Sequence, residues 1–591
     1  MKLQTRLAIA GLAGLSLLLY GCTTSASNDD SSESNTEPAT AVADLVVPES
    51  VAAALADDLA INLADSDLAV DFDSAQAIEL NDAGSQVPSS VGLDGSTITI
   101  EQAGTYRLSG SLSDGQIVVD GAGAGSGQVT LILDGVSITS SSSAAIFAKG
   151  FDQLLIVLAD GSTNSLTDAL TYVYADPADT EPDAALFSNC DLAITGEGSL
   201  AVTGRAGDGI ASKDQLVVTS GQISVTAADD GIKGRDLLAI NGGTISVDST
   251  GQGIKATNDT DLGAGYVLID GGEITVNTNG EAADCVNAAS DVLIDGGSLQ
   301  LNCTDDAIHA EQRLLIDGGS VTVGGAVEGL ESAIIALGGG QIALTASDDG
   351  INATDGTMTE SNDPDMGGWG GGQMPTDGTL PEGMPTDFPT DGSFPGGGQM
   401  PEGMPTDFPT DGTFPGGGQM PEGMPTDGAM PQGGPAGGGA MFAVQAAAVV
   451  IRGDVELTID AGGDGIDSNG TMEITGGTTT VFGPTGEPET AVDVNGDFIV
   501  SGGTLVALGA SGMMLVTPTE ASSQAWFSED LDLTAGDRVT VTGAGGAVTV
   551  DVPKQAGNLI FSSADLGTTV TVEVTSSDGS STQVIPEVKG G

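Results

Sequence analysis

The chain has 591 residues, 91 of them glycine, with 3% aromatic and 39% apolar residues, a composition too thin for a series of ordinary globular cores and suited to a repetitive architecture. Against 14 Lys and Arg stand 83 Asp and Glu, for a net charge of −69. That field repels phosphates over the whole surface and excludes nucleic acid as a partner; cations are the natural company, although the same acidity also serves solubility in salty surroundings.

At the N-terminus, Lys2 and Arg6 precede an apolar run from Leu7 to Leu19, too short to span a bilayer, which ends in Leu19-Tyr20-Gly21-Cys22. This resembles a bacterial lipoprotein signal over residues 1–22, with Cys22 becoming the lipidated first residue, although Tyr20 replaces the usual small or aliphatic residue. The expectation is an exported protein held at the cell surface or outer membrane by its lipid alone. Residues 23–64 read as a flexible tether, opening in a Ser-, Asp-, Asn- and Thr-rich stretch, and 65–110 as an N-terminal β cap. Beyond Cys22, the three cysteines Cys190, Cys285 and Cys303 allow at most one disulfide, lack zinc spacing, and read as buried small hydrophobes.

A repeat then dominates. Aligned on Gly-Gly, "LLAINGGTISV", "YVLIDGGEITV", "DVLIDGGSLQL", "RLLIDGGSVTV", "TMEITGGTTTV" and "DFIVSGGTLVA" alternate aliphatic and polar residues on both sides of a turn. Ile254, after the second strand of its unit, marks a third short strand. One unit of about 22 residues cannot bury its aliphatic faces alone. Burial of a side chain contributes roughly 2 kcal/mol, whereas ordering each backbone costs on the order of 1–2 kcal/mol. The units must stack, and three strands per coil predict an all-β solenoid, a parallel β-helix. Leucine-rich repeats lack Gly-Gly at this place, and the nonapeptide calcium repeats have the wrong period.

The predicted coil covers 111–356 and resumes over 442–515. Between them, 357–441 is a Gly-, Pro- and Met-rich low-complexity insertion in which "PEGMPTDFPTDGSFPGGGQM" recurs with Ser393 replaced by Thr413. Proline every few residues forbids a strand ladder there. Residues 516–591 read as a C-terminal β cap.

The turn before each third strand carries Asp208, Asp230, Gln252, Asp284, Asp306, Glu328, Asp349 and, past the insertion, Asp464. Asp229, Asp305 and Asp348 directly precede three of them. The steps are 22, 22, 32, 22, 22 and 21 residues up to Asp349, so the acids stack at the coil spacing of about 4.8 Å. Carboxylates at that distance repel by roughly 1 kcal/mol even in water. Calcium, a hard cation with flexible oxygen coordination, suits such a ladder better than magnesium. The plainer reading is that Asp-Asp-Gly is good turn chemistry. Three residues after the ladder positions come Lys233, Lys255, Asn287, His309, Glu331, Asn352 and Asp467, with Lys213 and Arg235 nearby. Lys213, Lys233, Arg235, Lys255 and His309 are the expected polysaccharide-binding residues, unless they merely neutralise the ladder.

The runs "GTYRLSGSLSDGQIVVD", "VTLILDGVSIT", "EPDAALFSNCDLAITGEGSLAVTG", "DGIASKDQLVVTSGQISVTAADDGIKGRD" and "NLIFSSADLG" resemble the calcium-binding, carbohydrate-binding β-helix lipoproteins of bacterial surfaces, typified by clostridial proteins that bind cellulose and acidic plant polysaccharides. The resemblance implies a right-handed parallel β-helix like that of pectate lyases, calcium at the coil turns, and polygalacturonate-like binding without cleavage. Gln252 and the extreme acidity depart from it. Two other functions fit the residues: a calcium-dependent lyase using Lys213, Lys233 or Lys255 as base, and an adhesin or matrix scaffold.

Overall fold

The structure, a computed structural model, describes residues 46–57, 68, 70, 72–121, 127–174, 176–355, 444–512 and 514–590. Cys22 with its signal, most of the tether and the low-complexity insertion lie outside these. Within them, short strands joined by turns wind into a parallel β-helix of about 12 turns.

One coil is representative: strands Ile232–Gly234, Leu237–Ile240 and Thr244–Ser249 face three sides of the solenoid. Each pairs in parallel with its counterparts one coil away, as in Ile232↔Ile254, Leu238↔Val267 and Ile245↔Ile274. Inward residues stack into continuous ladders, and Ile210, Ile232, Ile254, Val286, Ile308, Leu330, Ile351 and Ile466 are all fully buried. The Gly-Gly turn is required sterically. Gly319 has φ +81°, and a Cβ there would lie 2.6 Å from the carbonyl oxygen of Gly297 in the coil beneath.

Several sequence expectations change. Parallel pairing begins inside the segment read as a cap, because Gln76–Leu80 already pairs with Gly104–Leu112. It ends at Gly509, where Phe498–Gly509 pairs antiparallel with Ala556–Ser563. Within the expected tether, Val51–Asp57 is a helix. Its Val51 and Ala54 are buried on the second side of the solenoid against outward residues that include Ala239, Leu268, Leu293 and Leu315. Those strands therefore bury both faces, and a short apolar segment earlier in the chain supplies the cover. The Val51 N–H donates to Asp317 Oδ2 at 2.5 Å.

Cys285 and Cys303 form a disulfide with Cα atoms 5.5 Å apart, correcting the reading of these residues as isolated hydrophobes; Cys190 stays free and buried. Stacking decides the pairing. Cys285 sits between ladder residue Asp284 and the strand Val286–Ala288, and Cys303 directly follows the strand Ser298–Asn302, so the same turn in successive coils brings together residues 18 apart.

The coil on either side of the insertion is continuous. Ile334–Leu337 pairs with Ala448–Ile451, and Gln341–Ala346 with Glu456–Ala461. Gln445 clasps the two ends: its Oε1 accepts from Thr354 Oγ1 at 3.1 Å and from the Asp355 N–H at 2.9 Å.

Two outcomes are expected. Cys303→Ser should lower unfolding free energy by about 3 kcal/mol, the value for a loop of this length, and reductant should do the same to the native chain. A denaturation midpoint unmoved by reductant would mean the bond does not form. Replacing 357–441 by a short Gly-Ser linker should leave a single cooperative transition with a Tm within a few degrees of the native one, since loop length costs little; calorimetry decides.

Candidate functional site

The ladder residues sit in the turn that leads into the first-side strands, where coils approach so closely that the following residue is glycine in all but two, Asp284 and Asp306, which precede Cys285 and Ala307. At Gly231 a Cβ would lie 2.5 Å from the Gly253 carbonyl oxygen. Five of the ladder carboxylates, and Gln252, reach along the solenoid axis. Asp208 Oδ1 accepts the Asp230 N–H at 3.1 Å, Asp230 Oδ1 the Gln252 N–H at 3.0 Å, and Asp284 Oδ1 the Asp306 N–H at 3.1 Å. Past the insertion, Asp349 Oδ1 accepts the Asp464 N–H at 2.6 Å and Asp464 Oδ1 the Thr490 N–H. Gln252 does not break this chain, because its Oε1 accepts the Asp284 N–H. The ladder is thus partly structural: in Asp208, Asp230, Asp284, Asp349 and Asp464 one carboxylate oxygen caps the next coil, while the second oxygens of Asp208 and Asp284 meet Lys233 and Asn287. The paired acids behave differently, with Asp229 and Asp348 exposed and Asp305 half-buried.

Beside the ladder runs a single outward row. Register carries it through Phe147, Phe187, Ala211, Lys233, Lys255, Asn287, His309, Glu331, Asn352, Asp467 and Asp493. Of the five expected binding residues, Lys233, Lys255 and His309 are in this row. Lys213 and Arg235 lie two residues further along their coils and are engaged elsewhere. Lys213 pairs with Glu181 at 2.6 Å, and Arg235 with Asp236 at 3.0 Å and Asp261 at 3.3 Å.

The row neutralises the ladder over its first half. Lys233 Nζ contacts Asp208 closely, Asp230 at 3.5 Å and Asp183 at 4.0 Å, while Lys255 Nζ is 3.4 Å from Asp230. Burial disfavours the Lys233 charge, but Asp208, with Asp183 and Asp230, outweighs it and holds the ammonium above its ordinary pKa. Asn287 Nδ2 donates to Asp284 Oδ2 at 2.7 Å. His309 Nδ1 lies 2.7 Å from Glu331 and 3.3 Å from Asp306. Against burial, those two carboxylates push the imidazole up to about 11, so it is cationic at neutral pH.

The second half has acids with no cationic partner among the described residues, although Asn352 Nδ2 donates to Glu328 Oε1 at 3.2 Å. Burial, reinforced by neighbouring carboxylates, pushes Asp349 up to about 8, Asp467 to about 7 and Glu328 to about 9, and raises Asp464 as well. Glu328 Oε2 is buried with no hydrogen-bond partner among the described residues.

These contacts decide how far a hard cation fits. Carboxylate oxygens of Asp208, Asp229 and Asp230 converge within 4.8 Å, as do those of Asp306, Glu328 and Glu331, and Asp284 and Asp306 with a His309 nitrogen. In the first set the Lys233 ammonium already stands where a cation would. In the second, the His309 imidazolium shares Asp306 and Glu331, so an ion would have to displace it, but the unpartnered Glu328 oxygen and an all-oxygen donor set fit calcium. Glu331, Asp183 and Asp493 belong to the site although sequence reasoning did not assign them roles. Extending the coil register onto "EPDAALFS" and "AVDVNGD" brings the last two into line.

The step from Gln252 to Asp284, ten residues longer than its neighbours, opens a 470 Å³ cavity beside the row, lined by Lys255, Thr257, Asp259, Asn287 and Glu311 among others. Another cavity, of 330 Å³ and under the C-terminal sheet, is lined largely by glycine and small residues and is remote from the row.

A family model described as "Carbohydrate-binding domain-containing protein" matches residues 94–361. A protein of that description from Acetivibrio thermocellus is 44% identical over 210 residues, 35% of this chain and 73% of the relative. A solved structure titled as the polysaccharide lyase-like protein from C. thermocellum, a gadolinium derivative, is 31% identical and covers 46% of this chain and 94% of its own, with a TM-score of 0.36.

Asp349, Asp467 and Glu328 bind protons more tightly in the folded coil than in the unfolded chain. Stability from them is therefore full below the unfolded carboxylate range, near pH 4, and declines as pH rises towards 8. In chelator, Tm should fall by on the order of 5 °C between pH 5 and pH 8, and added calcium should reduce the fall. A Tm that rises over this interval in chelator would contradict the burial of these acids without cations.

Proposed function

From the premise that the chain belongs to the family of carbohydrate-binding domain-containing proteins, we propose that it holds a polysaccharide lengthwise along the row from Lys233 to Asp493, without cleaving it and with the help of calcium. The observation that supports this most is the row itself. Eight successive positions keep register over about 34 Å at ~4.8 Å a step, passing from ammonium through amide and imidazolium to carboxylate. That is an extended site for a linear polymer rather than a pocket for a small molecule.

Charge makes calcium part of the proposal. Lys233 and Lys255 are already committed to the ladder, so an acidic, polygalacturonate-like chain gains little from them directly. The residues that would hold calcium are Asp306, Glu328 and Glu331, whose carboxylate oxygens lie within 4.8 Å of one another, with the ion taking the place of the His309 imidazolium. Bound there, the ion supplies a bridge from protein carboxylate to polymer oxygen. A cellulosic chain would use the same row through hydroxyls. The lyase alternative needs a lysine with a lowered pKa, whereas Lys233 is displaced upward by its three acidic neighbours, which favours binding over elimination. In this reading the chain is exported and tethered at the bacterial surface by lipid on Cys22.

Polygalacturonate and cellulose should be titrated with the full chain in calcium and in chelator. Calcium-dependent binding is expected, weakened about tenfold or more by Glu328→Gln with Glu331→Gln, with no ultraviolet-absorbing unsaturated product. Binding indifferent to chelator removes calcium from the proposal, and product formation replaces it by the lyase reading.

A further inference from the structure

The cavity beside Lys255 and Asn287 is not explained by a uniform groove for an acidic or neutral polymer. We propose that it is a subsite for a sugar ring bearing a protonated amine, a 2-amino-2-deoxyhexose, whose ammonium is taken by Asp259 and Glu311. That the ligand is a sugar rests on the polysaccharide reading above; that it carries an amine rests on the charges of the cavity.

The cavity is built, not incidental. Its outer wall is the excursion that follows Thr257, and this wall is pinned from within by Asn258, which is 2% exposed. Asn258 Oδ1 accepts from the N–H groups of Thr260 and Asp261, at 3.1 and 3.0 Å, and from Thr260 Oγ1 at 3.0 Å. Its Nδ2 donates to Asp236 Oδ1 at 2.7 Å and Asp261 Oδ2 at 2.9 Å, and the Gly265 N–H closes the loop on the Asp236 carbonyl at 2.7 Å. Asp259 stands between two residues of this network and lines the cavity. None of the ion pairs among the described residues involves it.

The electrostatics follow by subtraction. Lys255 is answered by Asp230 at 3.4 Å, and the His309 imidazolium by Glu331 at 2.7 Å and Asp306 at 3.3 Å. Of the acids lining the cavity, Asp259 is unanswered, and Glu311, 67% exposed, has only the distant His309 Nε2 at 3.6 Å. The cavity is left with a negative balance, in a protein whose charge of −69 concentrates cations at its surface. A uronate carboxylate is repelled there. Asp259 and Glu311 belong to none of the carboxylate sets close enough to share a metal ion, and 470 Å³ far exceeds an ion's needs. Asn287 has committed its Nδ2 to Asp284, so its Oδ1 and the Thr257 hydroxyl are placed for ring hydroxyls, while charge-assisted hydrogen bonds from an ammonium are the strongest that Asp259 and Glu311 can make.

The test is calorimetric titration of the full chain, at physiological ionic strength, with a short β-linked glucosamine oligosaccharide, its fully N-acetylated counterpart, and spermidine. The amine form should bind at least about tenfold more tightly than the acetylated one. Asp259→Asn and Glu311→Gln should each weaken it about tenfold, whereas Glu456→Gln, which removes the same charge from an exposed site elsewhere, should leave it unchanged. Equal binding of amine and N-acetyl forms, or equal loss in all three variants, would overturn the proposal, the latter by reducing it to general attraction. Spermidine binding with the same affinity and variant dependence would overturn the sugar class. Glucosamine binding that survives chelator while polygalacturonate and cellulose both fail to bind would uphold this subsite and sink the groove; the reverse pattern would sink only the subsite.

Discussion

Everything in this molecule depends on coils being stacked at one spacing in one register, and at the critical turn that register is held by a side chain. A carboxylate oxygen of one coil accepts the amide proton of the next, from Asp208 to Asp230 to Gln252 and onward. Because the bond points along the axis, it places the second oxygen of each carboxylate sideways, next to the outward row. The axial bond and the contact with the row are thus made by two atoms of one side chain, as in Asp208 and Asp284. Gln252 separates them: it keeps the acceptor and gives up the charge, so at this coil the axial hydrogen bond is made without an anion.

Along the row the protein changes its answer to the same electrostatic problem. Lys233 and Lys255 meet the first ladder acids with ammonium, Asn287 with an amide, and His309 with an imidazolium shared between two carboxylates. Beyond Glu331 the row itself becomes acidic, and burial holds protons on carboxyls that nothing else in the described residues neutralises. A polymer lying on this face would meet different chemistry at its two ends. Chemical polarity along the axis is built into a fold whose backbone repeats almost identically.

The solenoid was legible in the sequence because period-two aliphatics on a 22-residue beat leave few ways to bury themselves, and the ladder was legible because one position per coil recurs. What escaped was whatever depends on contacts between unlike segments. The helix Val51–Asp57 has no repeat partner, and its role is visible only once the doubly apolar strands are seen to need a cover. The disulfide joins coils, so its pairing follows from stacking rather than spacing. Lys213 and Arg235 were grouped with Lys233 on proximity in the chain, yet a two-residue offset along a strand puts them in a different row, facing Glu181 and Asp236. Asp259 and Glu311 carried no signal at all, since a cavity made by a longer coil has no periodic mark.

The clasp at Gln445 uncouples the solenoid from the length of what is inserted in it. Thr354, Asp355 and Ala446 are tied together through Gln445 and the Asp355 carboxylate, so the points where the chain leaves and re-enters the coil are fixed by contacts that do not involve the intervening segment. That segment contains a tandem 20-residue duplication, the kind of sequence that gains and loses copies during replication. With the endpoints tied, a change in copy number leaves every stacked coil where it was. The solenoid can therefore carry an insertion of more or fewer such units while presenting the same face.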